Sequence, residues 1–172
     1  SITNEKIILN DEKITIDLGG IAKGYIVDRA IEITKEKFKS KLKTILIDAR
    51  GDIKIQGENK FKIEIENPFN SELLFETITL KNASVVTSGH NKQKFISGSH
   101  IIGKPTDIYT ITLISKKIPC HILDALATYF ILLNSIDTLE LLEFDEKYKE
   151  IEALLILTNG KVLKTSFWNE YL

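Results

Sequence analysis

A carboxylate and a hydroxyl lie four residues apart in a strongly apolar part of this sequence. Asp124 and Thr128 interrupt the stretch 119–133, which is apolar almost all round and predicts a buried helix. Residues at i and i+4 share one helix face. An ionised carboxylate there is costly unless it is paired or holds a metal, and oxygen ligands of this kind suit Mg²⁺ or Ca²⁺. The pattern also fits a structural pair, in which Asp124 bonds to backbone or to a lysine and Thr128 bonds to its own i−4 carbonyl.

A second segment combines an acid, two glycines and a lysine. Asp17, the glycine pair that ends at Gly20, and Lys23 lie where a predicted strand, 13–17, gives way to a predicted helix, 21–39. Free amides at a helix N-terminus bind phosphate, and a lysine adds positive charge. The segment is not a Rossmann fingerprint. The alternative is an ordinary glycine turn capped by Asp17.

The third candidate is a histidine near a strand that ends in hydroxyls and glycine. His100 follows the predicted strand 84–87 after a polar loop, and an imidazole can act as a general base near neutral pH. The alternative is a histidine on a surface loop. His90 and His121 lie in no chemically suggestive context, and we predict that neither is catalytic.

The elements that must position these residues alternate irregularly. The order is strands, one helix, several strands, two helices and a terminal hairpin with the Asn159-Gly160 turn signal, which favours an α+β fold over regular βαβ units. The predicted strands are 6–9, 13–17, 44–47, 53–56, 60–66, 73–80, 84–87, 109–115, 154–157 and 161–163, and the predicted helices are 21–39, 119–133 and 137–150. The apolar face of the first helix is predicted to contain Ile21, Tyr25, Ala30, Ile33 and Phe38.

Size and composition indicate an ordinary globular domain. The 172 residues are enough for one domain with a core. The formal net charge of −1 gives no preference for nucleic acid or an anionic membrane, and no nucleic-acid partner is predicted. The single cysteine, Cys120, rules out an internal disulfide. No apolar run approaches the roughly 20 residues that span a bilayer. We therefore expect membrane association only through an anchor outside this chain.

In their order along the chain, four motifs resemble the ApbE family of flavin transferases. They are Asp-Leu-Gly-Gly-Ile-Ala-Lys-Gly-Tyr from Asp17, Ser-Val-Val-Thr-Ser-Gly from Ser84, Ser-His-Ile-Ile from Ser99 and Asp-Ala-Leu-Ala-Thr from Asp124. Segments 49–52 and 65–68 are similar to the family's Ala-Gly-Gly-Asp turn and Ile-Glu-Asp-Pro element. The resemblance covers most of the chain and implies an ApbE-like α+β fold, with a mixed or antiparallel sheet and a few helices in a single domain, 1–172.

The resemblance implies Mg²⁺-dependent transfer of FMN from FAD to a threonine or serine of an acceptor protein, through a phosphoester bond and in a cell-envelope setting. It also implies roles for individual residues. The implied sets are FAD-binding Asp17, Lys23 and Ile102, metal-binding Gly20, Asp124 and Thr128, and the general base His100.

The sequence also departs from the family pattern. A long segment that family members carry before the first motif is expected to be missing, and the Asp-Pro-x-Thr-Gly element expected after Ile102 is absent. Arg50 replaces a glycine, and Leu123 replaces the alanine before Asp124. We therefore expect weak binding of Mg²⁺ and FAD, and slow or no transfer. The alternatives are a non-catalytic domain that binds flavin or a partner, and an FAD pyrophosphatase that releases FMN and AMP.

Overall fold

The computed structural model describes residues 7–70, 72–90 and 106–172. They form three α-helices and eight β-strands. The helices are α1 (Ala22–Phe38), α2 (Cys120–Phe130) and α3 (Ser135–Phe144), and the strands are β1 (Thr44–Asp48), β2 (Asp52–Gly57), β3 (Phe61–Glu66), β4 (Leu74–Leu80), β5 (Ala83–Gly89), β6 (Ile108–Ser115), β7 (Glu152–Leu157) and β8 (Val162–Lys164). None of the helices in these ranges has the length and apolar composition that crossing a membrane requires.

Six strands form one antiparallel sheet in the order β1-β2-β5-β6-β7-β8, and β3 and β4 form a separate antiparallel ribbon. The predicted terminal hairpin is confirmed, because β7 pairs with β8 across the Asn159-Gly160 turn. Helices and antiparallel strands are segregated along the chain, so the predicted α+β class is also confirmed.

Side chains of β5 and β7 alternate between the two faces of the sheet and divide the core in two. Val86 and Leu155 pack with residues of the three helices. Val85 and Leu154 pack with the β3–β4 ribbon and with the fully buried Trp168. The sheet is therefore a central layer, with helices on one face and the ribbon on the other.

The apolar face predicted for the first helix is wrong. Val27 and Ile31 point into the core, whereas Tyr25 and Ile33 are more than half exposed. Helical spacing also allows a stripe through Val27 and Ile31, which the sequence analysis did not predict. Contact with the sheet and α2 selected the stripe that also carries a buried carboxylate, Asp28.

The two strands predicted at the beginning of the chain do not form in the described residues. Ile7 makes only a single-residue bridge, and 13–17 contains no strand. The apolar side chains of this segment, such as Ile14 and Ile16, remain about half exposed. Two short strands are marginally stable unless a face is buried against another layer.

The second and third helices end earlier than predicted. α2 ends at Phe130 and buries one side only, since Tyr129 is 45% exposed. α3 begins after Asn134, whose side chain accepts a hydrogen bond from the Asp137 amide, and it ends at Phe144. An Asn N-cap explains the earlier start of α3.

Candidate functional site

A cleft of about 1390 Å³ opens at the end of the sheet where β2 begins, β5 ends and β6 begins. The start of α1, one face of α2, the β1–β2 turn and the β3–β4 ribbon enclose it. Five residues singled out from the sequence line this one cleft: Asp17, Gly20, Lys23, Asp124 and Thr128. The fold thus brings together the glycine-lysine segment and the carboxylate–hydroxyl pair.

Two glycines allow α1 to begin directly against α2. A Cβ on Gly20 would lie 3.1 Å from Thr128 Oγ1, and a Cβ on Gly24 would lie 2.6 Å from the Cys120 carbonyl oxygen. Asp124 Oδ2 accepts a hydrogen bond from the Gly24 amide at 3.0 Å. The absence of side chains at these glycines therefore places the start of α1 beside the polar face of α2.

The hydrogen bonds expected of a structural pair are present at Asp124 and Thr128. Asp124 is bonded to backbone, as described, and Thr128 Oγ1 donates to the Asp124 carbonyl oxygen at 3.3 Å. A hydroxyl that donates its proton keeps lone pairs for a cation. The structural contacts and a metal-binding role are therefore compatible.

Asp52 is a buried carboxylate at the floor of the site. Its side chain is 0% exposed, and Lys23 Nζ lies 2.9 Å from its Oδ2. The contact is an ion pair, and neither carboxylate oxygen makes a well-aligned hydrogen bond in the described part of the chain. Burial raises the pKa of Asp52 to about 6; the nearby Asp124 carboxylate adds to this rise and the Lys23 ammonium opposes it.

Asp17 forms a turn rather than ending a strand. Its Oδ1 accepts a hydrogen bond from the Gly19 amide at 2.8 Å, a local bond typical of aspartate in turns. The side chain is exposed at the rim of the cleft. It does not cap α1, which has no side-chain cap at its first residue.

The start of α1 binds a carboxylate of the protein itself. The sequence suggested that free amides there could bind phosphate, but the Gly24 amide in the first turn is bonded to Asp124. The positive end of the helix dipole stabilises that carboxylate. Lys23 is likewise paired with Asp52, so two positive groups of the site already face internal acids.

The donors in the cleft fit a divalent cation. Within the described ranges, no group of three or more His, Cys, Asp or Glu side chains is arranged to hold a metal ion. The predicted set is of another kind: the Gly20 carbonyl, the Asp124 carboxylate and the Thr128 hydroxyl. All are oxygens, which hard cations such as Mg²⁺ prefer. Asp52, whose oxygens make no well-aligned hydrogen bond in the described part of the chain, adds negative charge beside them.

The end of β5 forms another wall of the cleft. Thr87, Gly89 and His90 line it, and Thr87 Oγ1 lies 2.9 Å from Thr112 Oγ1. A Cβ on Gly89 would lie 2.6 Å from Thr110 Cγ2, so glycine avoids a steric clash with the neighbouring strand at this position. His90, predicted to be unremarkable, therefore lies in the cleft, while the predicted base His100 and the predicted flavin contact Ile102 lie outside the described residues.

An aromatic pair lies farther along the cleft. Phe69 and Tyr109 stack with ring centroids 4.8 Å apart and planes at 25°, and both line the cleft. Phe69 remains 53% exposed. Planar rings offer a surface on which another planar ring can stack.

A buried polar cluster ties together the three elements that carry the site. Asp28 on α1 accepts hydrogen bonds from Lys54 Nζ on β2 and from the His121 amide on α2 at 3.0 Å. His121 Nδ1 lies 2.6 Å from the same carboxylate. Burial raises the pKa of Asp28, but the bonds from Lys54 and His121 outweigh it and hold the pKa below its ordinary value. His121 thus has a structural contact, and its non-catalytic role stays a prediction.

The ApbE family model matches residues 1–155, which is most of the chain. This chain belongs to the ApbE family. The predicted resemblance is therefore confirmed.

Individual relatives agree with this assignment. A FAD:protein FMN transferase of Klebsiella pneumoniae (strain 342) is 32% identical over 94 residues, which are 54% of this chain and 28% of the relative. The ApbE protein of Thermotoga maritima has 26% identity and a TM-score of 0.76, over 91% of this chain and 53% of that chain. The flavin transferase ApbE of Vibrio cholerae has 24% identity and a TM-score of 0.74, over 91% of this chain and 52% of that chain, and it shows the shared fold. The chain spans about half the length of these solved ApbE structures.

Sequence reasoning missed the buried acid of the site. Asp52 was noticed only as the last residue of a turn motif, because its burial depends on the packing of α1 and α2 over β2. A signal was nevertheless available: Asp52 opens a strand in which polar Lys54 and Gln56 alternate with Ile53 and Ile55. Such alternation predicts that Asp52 and Lys54 share a face.

Proposed function

We propose that this chain is part of a transferase that moves FMN from FAD to a threonine or serine of an acceptor protein. Family membership and the similarity to the Klebsiella FAD:protein FMN transferase support the proposal. The observation that carries it is the meeting of Gly20, Lys23, Asp124 and Thr128 in a single cleft large enough for a dinucleotide. Pockets for small ligands are commonly about 300–1,000 Å³.

The reaction is a phosphoryl transfer. The acceptor hydroxyl oxygen forms a bond to the phosphorus of the FMN half, the bond from that phosphorus to the bridging oxygen breaks, and AMP leaves with the bonding electrons. A base takes the hydroxyl proton, and we assign this role to His100. Such reactions depend mainly on positioning and on neutralising charge at the phosphate oxygens. Asp17 and Lys23 contact FAD in this proposal, and Ile102 lines the flavin pocket.

We assign the metal to the Gly20 carbonyl, Asp124 and Thr128. A bound Mg²⁺ would stabilise negative charge on the pyrophosphate oxygens. The chain's own contribution is to hold these oxygens in place: the Gly24 amide fixes Asp124, and the missing side chain of Gly20 leaves room for Thr128. The buried Asp52 orients Lys23 toward the same region.

A flavinylation assay tests this function directly. The chain is incubated with FAD, Mg²⁺ and an acceptor protein that a full-length ApbE transferase is known to modify. The expected products are AMP and an acceptor whose mass rises by one FMN, and both should disappear with a chelator or with Asp124→Asn. Glu140→Gln, an exposed carboxylate on α3, is the matched control and should behave as wild type.

The same assay separates the alternatives. AMP and free FMN without acceptor modification would indicate water as the nucleophile and a pyrophosphatase. FAD binding without either product would indicate a non-catalytic flavin-binding domain. If FAD does not bind while the full-length control transferase modifies the acceptor, the proposed function is wrong for this chain.

A further inference from the structure

The β1–β2 turn carries an arginine in a conformation that usually selects glycine or asparagine. The two central residues of this hairpin turn, Arg50 and Gly51, have φ angles of 58° and 103°. Positive φ at both positions is the mark of a type I′ turn, which favours Asn-Gly or Gly-Gly because a Cβ is disfavoured in the left-handed region. Arginine at the first position is therefore an unfavourable choice for the backbone.

The arginine side chain does not hold the turn together. The Ala49 amide donates to the Asp52 carbonyl oxygen at 2.9 Å, and the Gly51 amide donates to Asp48 Oδ1 at 3.0 Å. Hydrogen bonds from the backbone and to Asp48 thus stabilise the turn. The Arg50 side chain makes no hydrogen bond or ion pair with any described residue. A strained residue that contributes nothing local is often retained for function.

Arg50 faces the same cleft as the predicted phosphate contact. It lines the cleft together with Lys23 and Gly20. Lys23 is ion-paired with the buried Asp52, and the described part of the site also contains the Asp124 carboxylate. Apart from the proposed Mg²⁺, a pyrophosphate entering this region meets a lysine whose charge is already matched, so an unpaired cation adds favourable charge there.

We infer that Arg50 binds a phosphate of the dinucleotide substrate, in a subsite at the tip of the β1–β2 turn; this rests on the proposed function. A guanidinium is always charged and donates two parallel hydrogen bonds to phosphate oxygens. Arg50 is exposed and unpaired among the described residues, so it can make this contact without breaking an internal bond. The turn places the arginine two residues before the buried Asp52, so one hairpin supplies both a buried acid and an exposed cation.

Arg50→Gly separates binding from folding. Glycine suits the positive φ, so this variant should melt a few degrees higher than wild type. Its affinity for FAD should fall roughly ten- to a hundredfold, the range for a lost charged hydrogen bond. Affinity for riboflavin, which has no phosphate, should stay within twofold. Arg50→Lys keeps the charge but loses the two parallel hydrogen bonds, so its affinity for FAD should lie between those of wild type and Arg50→Gly.

The matched control is Lys39→Gly. Lys39 also carries a positive charge at positive φ, 47°, at the end of α1, and it does not line the cleft. This control should raise the melting temperature without changing FAD affinity. Calorimetric titrations with FAD, riboflavin and inorganic pyrophosphate, together with thermal melts of all four proteins, provide the measurements.

The outcomes distinguish the inference from the function on which it rests. Equal FAD affinity in wild type and Arg50→Gly would overturn the phosphate subsite while leaving the transferase proposal intact. Pyrophosphate binding that depends on Arg50, in a chain that does not bind FAD, would support the subsite and contradict the proposed function. Wild-type chain that binds neither ligand would refute both.

Discussion

Replacing Asp52 by asparagine should stabilise this protein, although it removes a charge from the candidate site. The carboxylate is 0% exposed, and its oxygens make no well-aligned hydrogen bond in the described part of the chain. Its pKa is raised from 3.8 to about 6, chiefly by burial. A difference of this size corresponds to about 3 kcal/mol of destabilisation at pH 7, at roughly 1.4 kcal/mol per pKa unit. Asparagine of similar shape avoids this cost, and Lys23, at 46% exposure, can turn toward water.

The pH dependence gives the prediction its sign. The folded pKa of Asp52 lies above the unfolded value, so between about 3.8 and 6 the folded state holds more protons than the unfolded state. The free energy of unfolding of the wild type should therefore fall as pH rises through this window, and the full destabilisation by Asp52 should be present above it. At pH 5 roughly half the cost should remain, so the stability advantage of Asp52→Asn should shrink by about half between pH 7 and pH 5.

Urea denaturation at pH 5, 6 and 7, with a chelator present, measures this difference. Glu140→Gln is the control, because it removes one exposed carboxylate from α3 and should change stability little at any of these pH values. The reasoning fails if Asp52→Asn is no more stable than wild type at pH 7, or if its advantage does not shrink toward pH 5. A stabilised Asp52→Asn variant that also binds Mg²⁺ more weakly would indicate that the buried charge of Asp52 serves metal binding at the expense of stability.

Three further changes test the contacts around the site. Asp124→Asn should lose most Mg²⁺ affinity while keeping its circular dichroism spectrum; equal affinities in calorimetry would remove Asp124 from the metal site. Gly24→Ala should lower stability by about 1–3 kcal/mol, because its Cβ would lie 2.6 Å from the backbone of α2. Gly19→Ala should have a smaller effect, because its Cβ would meet only the Asp17 side chain. Equal losses of stability in urea denaturation would contradict the close approach of α1 and α2 at Gly24. Asp28→Asn should lower the free energy of unfolding by about 1–3 kcal/mol at pH 7. Because the fold lowers the pKa of Asp28 from its usual 3.8, this difference between variant and wild type should fade below about pH 4. A difference that persists in acid would mean that lost packing causes it.

The sequence was sufficient where a signal was local. Apolar alternation and the Asn159-Gly160 turn located most strands and the terminal hairpin, and the order of elements gave the α+β class. The i, i+4 spacing of Asp124 and Thr128 placed both on one face of α2, and the order of the motifs identified the ApbE family before any geometry was known.

Tertiary structure decided what depends on partners far away in the chain. The apolar face predicted for α1 was wrong, because packing on the sheet buries the stripe of Val27 and Ile31 instead. The two strands expected at the start of the chain require a layer to bury them, which the described residues do not provide. Asp52 became part of the site only when α1 and α2 covered β2, because the desolvation that raises its pKa is a property of the packed interior and is absent from the local sequence.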